Sequence, residues 1–207
     1  MRANRLMVLL SVLLTVIAPG RSTAQQHPRP WELHLTLSRD AFAGASLDSV
    51  TVPAVPVEVT PAPRLAFEAG VNRAFGAWEV GLAAGYASGN LRARTDDVVL
   101  DDRSGGVIRY RLGLTLGRRL VTFAPASVHA IIGPVLDRWD TADLGSRTVP
   151  GARLGASLRF ALGRVSIENA LLFAVGGSPF EQRDLPSGVI LRPLTTWSVG
   201  AGLRYGL

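Results

Sequence analysis

The sequence predicts an all-β chain: an eight-stranded antiparallel up-and-down transmembrane β-barrel preceded by a cleaved signal peptide. Three observations predict it. After residue 24, eight segments alternate apolar and polar side chains with the strand period of two. Their polar face is built mainly of Gly, Ala and Ser with few charges, while aromatic residues collect near both ends of the apolar face. Long and short connections alternate, which places long loops at one end of a meander and turns at the other.

The leader comes first. Arg2 and Arg5 form a basic start, Leu6 to Ala18 is apolar, and Ser22-Thr23-Ala24 presents small residues. This is the pattern of a secretory signal peptide, residues 1–24, cleaved near Ala24 to leave residues 25–207 as one barrel domain. The apolar run is shorter than the roughly 20 residues a membrane-spanning helix needs. The 207 residues include no Cys, which excludes disulfides, thiolate metal centres, a Cys nucleophile and a lipidated Cys. The formal charge of +6 comes from Arg spread along the chain, not from a concentrated basic patch, so no nucleic acid partner is expected.

Six segments alternate cleanly. The first places Trp31, Leu33, Leu35 and Leu37 against Glu32, His34, Thr36 and Ser38. The second sets Leu65, Phe67, Ala69 and Val71 against Ala66, Glu68, Gly70 and Asn72, and the third sets Trp78, Val80, Leu82, Ala84 and Tyr86 against Glu79, Gly81, Ala83, Gly85 and Ala87. In the fourth, Ile108, Tyr110, Leu112, Leu114 and Leu116 oppose Arg109, Arg111, Gly113, Thr115 and Gly117. The sixth runs from Ala152 to Leu162 and the eighth from Trp197 to Leu207 with the same alternation. The fifth, from Val128 to Asp137, mixes apolar residues on both faces and contains Pro134, which predicts a bulge or a strand end there. The seventh, from Val165 to Val175, has Asn169 on its apolar face, and a bulge is expected to turn it inward. Long loops are expected over Asp40 to Pro63, Ser88 to Gly106, Arg138 to Gly151 and Gly176 to Leu194, an intermediate one over Arg118 to Ser127, and tight turns elsewhere.

Side-chain size decides which face meets water. A soluble barrel carries bulky charged residues outside and apolar ones around a cavity, whereas a narrow membrane barrel needs small residues within and lipid-facing apolar residues without. The small polar face and the two aromatic rings favour the membrane barrel. A soluble lipocalin-like periplasmic carrier is the alternative fold-level reading.

The C-terminal residues Gly200-Ala201-Gly202-Leu203-Arg204-Tyr205-Gly206-Leu207 resemble the β-signal of bacterial outer-membrane barrels, with Gly202, Tyr205 and Leu207 at the matching positions. The departures are Leu207 where Phe is commonest and Gly200 where a polar residue is usual. The whole mature chain resembles the small OmpA/OmpX-like eight-stranded outer-membrane proteins. The resemblance implies a Gram-negative outer membrane, contact with its lipid and lipopolysaccharide, and insertion by the barrel assembly machinery. It implies no reaction.

The alternation points Glu32, Glu68, Glu79 and Glu168 inward, with Arg109, Arg111, Arg153, Arg159 and Arg204, and with His34 and His129 beside them. Near balance of sign predicts an ion-paired lumen, because desolvated charges persist only when paired and eight strands leave little more than room for side chains. The expected role is therefore structural, adhesive or surface-interacting, with a largely occluded lumen and no enzyme activity, cofactor or metal. A narrow ion or solute pore is one alternative. A lipid A-modifying enzyme is another; it needs a Ser nucleophile, a His base and an orienting acid. Neither His34 nor His129 begins a His-x-Ser arrangement, and His27 lies in the N-terminal tail. The acidic loop residues Asp96, Asp97, Asp101 and Asp102 lack the spacing of a calcium loop and lie among Arg92, Arg94 and Arg103, which predicts mutual neutralisation. Arg138, Arg147 and Arg183 are expected as loop contacts to lipopolysaccharide phosphates. The Pro-rich stretch with Pro53, Pro56, Pro61 and Pro63 is expected to be extended.

Overall fold

A computed structural model describes residues 30–48, 57–94, 99–142, 145–184 and 189–207. It contains strands β1 (Trp31–Asp48), β2 (Val57–Pro61), β3 (Arg64–Phe75), β4 (Trp78–Arg94), β5 (Val99–Phe123), β6 (Ala126–Thr141), β7 (Gly145–Leu162), β8 (Val165–Gly176) and β9 (Val189–Gly206). From β3 onward each strand pairs antiparallel with the next, and β1 joins β3 on one side and β9 on the other. The ring therefore closes. Strand β2 adds no ninth stave: it continues the line of β3 and pairs only with the outer ends of β1 and β4, as Ser46↔Val59 and Pro61↔Leu91.

The connections at one end are short because the residues there make tight reversals. Gly76 and Gly163 have φ of 64° and 73°, the left-handed region that Gly enters without steric cost, and each opens a two-residue turn. The third reversal is Ala124-Pro125, so the intermediate connection expected over Arg118 to Ser127 is replaced by a continuation of β5 to Phe123.

The expected long loops are also shorter than predicted. Strand β1 runs on to Asp48, β4 to Arg94 and β6 to Thr141, while β5 and β7 begin at Val99 and Gly145. The cause is an exchange of faces above the apolar belt. There Val107, Trp139, Val149 and Leu194 turn inward and pack with Phe180, while Arg138, Ser146, Thr148 and Arg192 face out. A bulge at Gly44, with φ of 92°, adjusts β1 to β9 at this level; a Cβ there would overlap the Pro193 carbonyl oxygen.

The belt itself is apolar on the outside. Leu35, Leu82, Leu114 and Leu203 are each 45–55% exposed, while Ala83, Ala87, Gly113 and Gly117 on the opposite face are buried. This inverts the arrangement that a lipocalin-like carrier requires, and that alternative is overturned by the direction of these side chains. Two aromatic levels bound the belt. At the short-turn end Arg73 lies over Trp31 and Phe75, at 5.2 and 4.9 Å, and Arg118 lies 5.1 Å over Trp78. At the other end, register pairs Tyr86 with Tyr110 and Phe173 with Trp197, with ring centroids 5.6 and 4.8 Å apart.

Two local expectations are corrected. Strand β6 neither ends nor bulges at Pro134: the register Gly113↔Val135 resumes unchanged as Leu116↔Ile132, with Leu114 and Thr115 unpaired between them. A proline has no N–H to donate, so the ladder opens over two register positions and the strand continues. Gly133 fits the narrow gap, since a Cβ there would collide with the Leu114 carbonyl oxygen. Strand β8 has no bulge either, because its register to β7 and β9 is uninterrupted, and Asn169 stays on the outward face between Ile167 and Leu171.

Candidate functional site: the charged lumen

Alternation delivers one inward residue per strand at each level, so charges distant in sequence meet across the lumen. Nearest the short turns, Arg159 donates to both oxygens of Glu79, Nη1 at 2.6 Å and Nη2 at 2.5 Å. Its Nε donates to Glu168 at 2.7 Å, and Arg204 Nε reaches the other Glu168 oxygen at 2.9 Å. Arg204 Nη1 lies 2.7 Å from Glu32 and 3.2 Å from Glu79. Space for the Glu79 side chain comes from Gly117, where a Cβ would sit 2.5 Å from Glu79 Cγ.

The middle of the lumen holds Arg153, which donates to Glu68 at 2.8 Å and to the Thr115 hydroxyl at 2.7 Å. His34 lies 3.8 Å from Glu68 through Nε2, and its Nδ1 is 3.0 Å from the Asn72 side-chain amide. Toward the long-loop end, Arg111 makes a bidentate pair with Asp137, both contacts 2.7 Å, and Arg109 donates to Asp40 at 2.5 Å. Arg64 donates to the Val107 carbonyl at 2.9 Å and lies over the Phe42 and Trp139 rings at 5.2 and 5.6 Å.

The nine charged residues that the alternation points inward are thus brought into three contacting layers. Asp40, Asp137 and Arg64 belong with them and were missed. Asp40 opens an expected loop, Arg64 lies one residue before the second alternating segment, and Asp137 ends the segment in which Pro134 blurs the phase. Extending the phase of His129, Gly133 and Val135 by one step would have found Asp137.

The remaining candidates are dispersed. His129 Nε2 is 3.0 Å from the Ser127 hydroxyl, a contact outside the His-x-Ser pattern because Ser precedes His; its Nδ1 is buried without a partner. A Ser–His pair therefore exists without an acid to orient its base. Arg138 pairs with Asp140 at 3.1 Å and Arg183 with Glu181 at 2.8 Å, both exposed, whereas Arg147 points inward beside Trp139. Asp96 and Asp97, and the side chains of Asp101, Asp102 and Arg103, lie outside the described residues, as do the signal peptide, His27, Pro53 and Pro56. Tyr205 and Leu207 of the C-terminal motif face outward, and Gly202 faces in, where a Cβ would sit 2.7 Å from Thr36 Oγ1.

With this geometry the chain is similar to Neisserial surface protein A, at 10% identity and a TM-score of 0.61 over 86% of this chain and 97% of that one. The fold is that of an outer-membrane β-barrel protein. The outer membrane protein AlkL in lipid bilayers is also similar, at 16% identity and a TM-score of 0.50, covering 92% and 96% of the two chains. So is the outer membrane protease OmpT from Escherichia coli, at 9% identity and a TM-score of 0.50 over 90% and 100%. No protein-family model and no curated protein matches the sequence.

Proposed function

We propose that this chain is an integral outer-membrane barrel of structural, adhesive or surface-interaction type whose lumen is closed by its own side chains. The observation that carries the reading is the lumen itself. Glu79, Arg159, Glu168 and Arg204 meet at 2.5–3.2 Å from four strands, and each is no more than 7% exposed. A conducting pore needs ionic sites that ions enter and leave, and a carboxylate already chelated by guanidinium groups offers none. Above this layer the apolar group of Val107, Trp139, Val149, Phe180 and Leu194 adds a second barrier.

The short-turn end faces the periplasm in this reading, because outer-membrane barrels place short turns there and longer loops outside. The outward belt contacts lipid, exposed arginines contact lipopolysaccharide phosphates, and Gly202, Tyr205 and Leu207 present the insertion signal to the barrel assembly machinery. A catalytic role is disfavoured by the histidines. His34 is held between Asn72 and Glu68, and His129 lacks an orienting acid.

Planar-bilayer recording tests the closed lumen. Protein refolded in detergent and added at high load produces no reproducible single-channel steps. Steps of defined conductance would replace this reading with a narrow pore.

A further inference from the structure

The layer just beneath the apolar group is out of charge balance. At one level of the wall, register places Arg64 beside Asp40, Arg109 beside Trp139, and Trp139 beside Arg147. The guanidinium carbons of Arg64 and Arg109 both lie 5.2–5.7 Å from the Phe42 and Trp139 ring centroids. Among the described residues Asp40 is the carboxylate at this level, and it already accepts from Arg109 Nη2 and from Ser38. Asp137, one step toward the short turns, is taken up by Arg111.

Five N–H donors here are buried without an acceptor: Arg64 Nη2, Arg109 Nε and Nη1, Trp139 Nε1 and Arg147 Nη1. Arg64, Arg109 and Trp139 are 5%, 3% and 1% exposed, so bulk water does not reach them. Buried donors normally find partners, and an uncompensated buried cation is costlier still. Everything missing from this layer is an acceptor with negative charge. Of Arg64, Arg109, Trp139 and Arg147, Arg109 alone also lines a cavity of about 40 Å³, together with Arg111, Arg153, Asp40, Glu68 and Ser198. That volume suits one or two water-sized occupants.

We propose that Arg64, Arg109, Trp139 and Arg147 hold a small anion, of halide or formate size, inside the barrel beneath the apolar group. The anion supplies the acceptor for the indole and guanidinium N–H groups and balances the layer. Its site is distinct from the Glu79 layer, whose cations are chelated by carboxylates. It also differs from a conduction site, because the apolar group closes it on one side and ion pairs on the other.

The test uses the full mature chain refolded in detergent. Thermal unfolding is compared in sodium bromide and in sodium gluconate of equal ionic strength, gluconate being a far bulkier anion than bromide. Bromide raises the unfolding temperature in a saturable way, since a ligand bound only by the folded state stabilises it, and anomalous diffraction of bromide-soaked crystals places a peak beside Arg109. The rise shrinks in Arg147→Gln and in Trp139→Phe, the latter keeping a ring but losing the indole donor. Equal unfolding temperatures in the two salts, a response unchanged by both variants, or a bromide peak only elsewhere would overturn the proposal.

Discussion

Arg159 on β7 grips Glu79 on β4 across the lumen, two terminal nitrogens against two carboxylate oxygens at 2.6 and 2.5 Å. Two strands separate β4 from β7 in the wall, so this pair ties together strands that share no ladder. Removing one partner leaves the other charged and desolvated, which costs about 3–5 kcal/mol for a buried pair. Glu79→Ala should therefore unfold at markedly lower urea concentration in detergent. Replacing the exposed-pair residue Glu181 with Ala should leave the midpoint within error, since a surface pair contributes about 0–1 kcal/mol.

The belt makes a one-sided prediction. Leu114 and Leu82 are register partners on the outward face, midway between the aromatic levels. An Arg at either position should cost about 2–4 kcal/mol if that face lies at the bilayer midplane. Urea titration of protein folded into lipid vesicles measures this, and Leu114→Arg should lose far more stability there than the rim substitution Leu207→Arg.

At the long-loop end, Phe180 is 2% exposed against Val107, Trp139, Val149 and Leu194. Truncation to Ala should cost about 3–5 kcal/mol of local packing. Because this group sits above the Glu79 layer, the loss should appear as faster proteolysis between Gly176 and Leu194, with the remainder of the barrel still resistant. Uniform digestion of the whole chain would show that the two regions unfold together.

The C-terminal motif separates folding from assembly. Tyr205→Ala with Leu207→Ala removes two outward side chains without touching the ion-paired layers. Spontaneous folding into vesicles should be nearly unchanged, while insertion in cells should fall, measured as the fraction of protein reaching the outer membrane. Equal loss in both measurements would make these residues structural only.

The wall of the barrel was legible in the sequence because lipid-facing and lumen-facing residues differ in both size and polarity. Leu82 beside Gly81 and Leu112 beside Arg111 leave no doubt about phase. The upper third was not legible, because there the inner face becomes apolar and the outer polar. Trp139 between Arg138 and Asp140 reads as a loop residue unless the exchange is known, as does Asp40, whereas Arg64 lies one step outside the alternation that starts at Leu65. Pro134 misled for a different reason: a missing donor opens the β5 ladder locally, but the β7 ladder on its other side, Pro134↔Ala152, holds the strand in place. Most members of the lumen network were legible from the alternation, but their pairing was not. Which Arg meets which Glu depends on closure of the ring, which brings Glu32 on β1 to Arg204 on β9, residues 172 apart in sequence.

The most direct test of the whole account is fractionation of cells expressing the full chain, with gel migration compared for unheated and boiled samples. The account predicts protein in the outer-membrane fraction whose migration changes on boiling, as a closed barrel resists detergent until heated. Protein in the aqueous periplasmic fraction, with migration indifferent to heat, would contradict it.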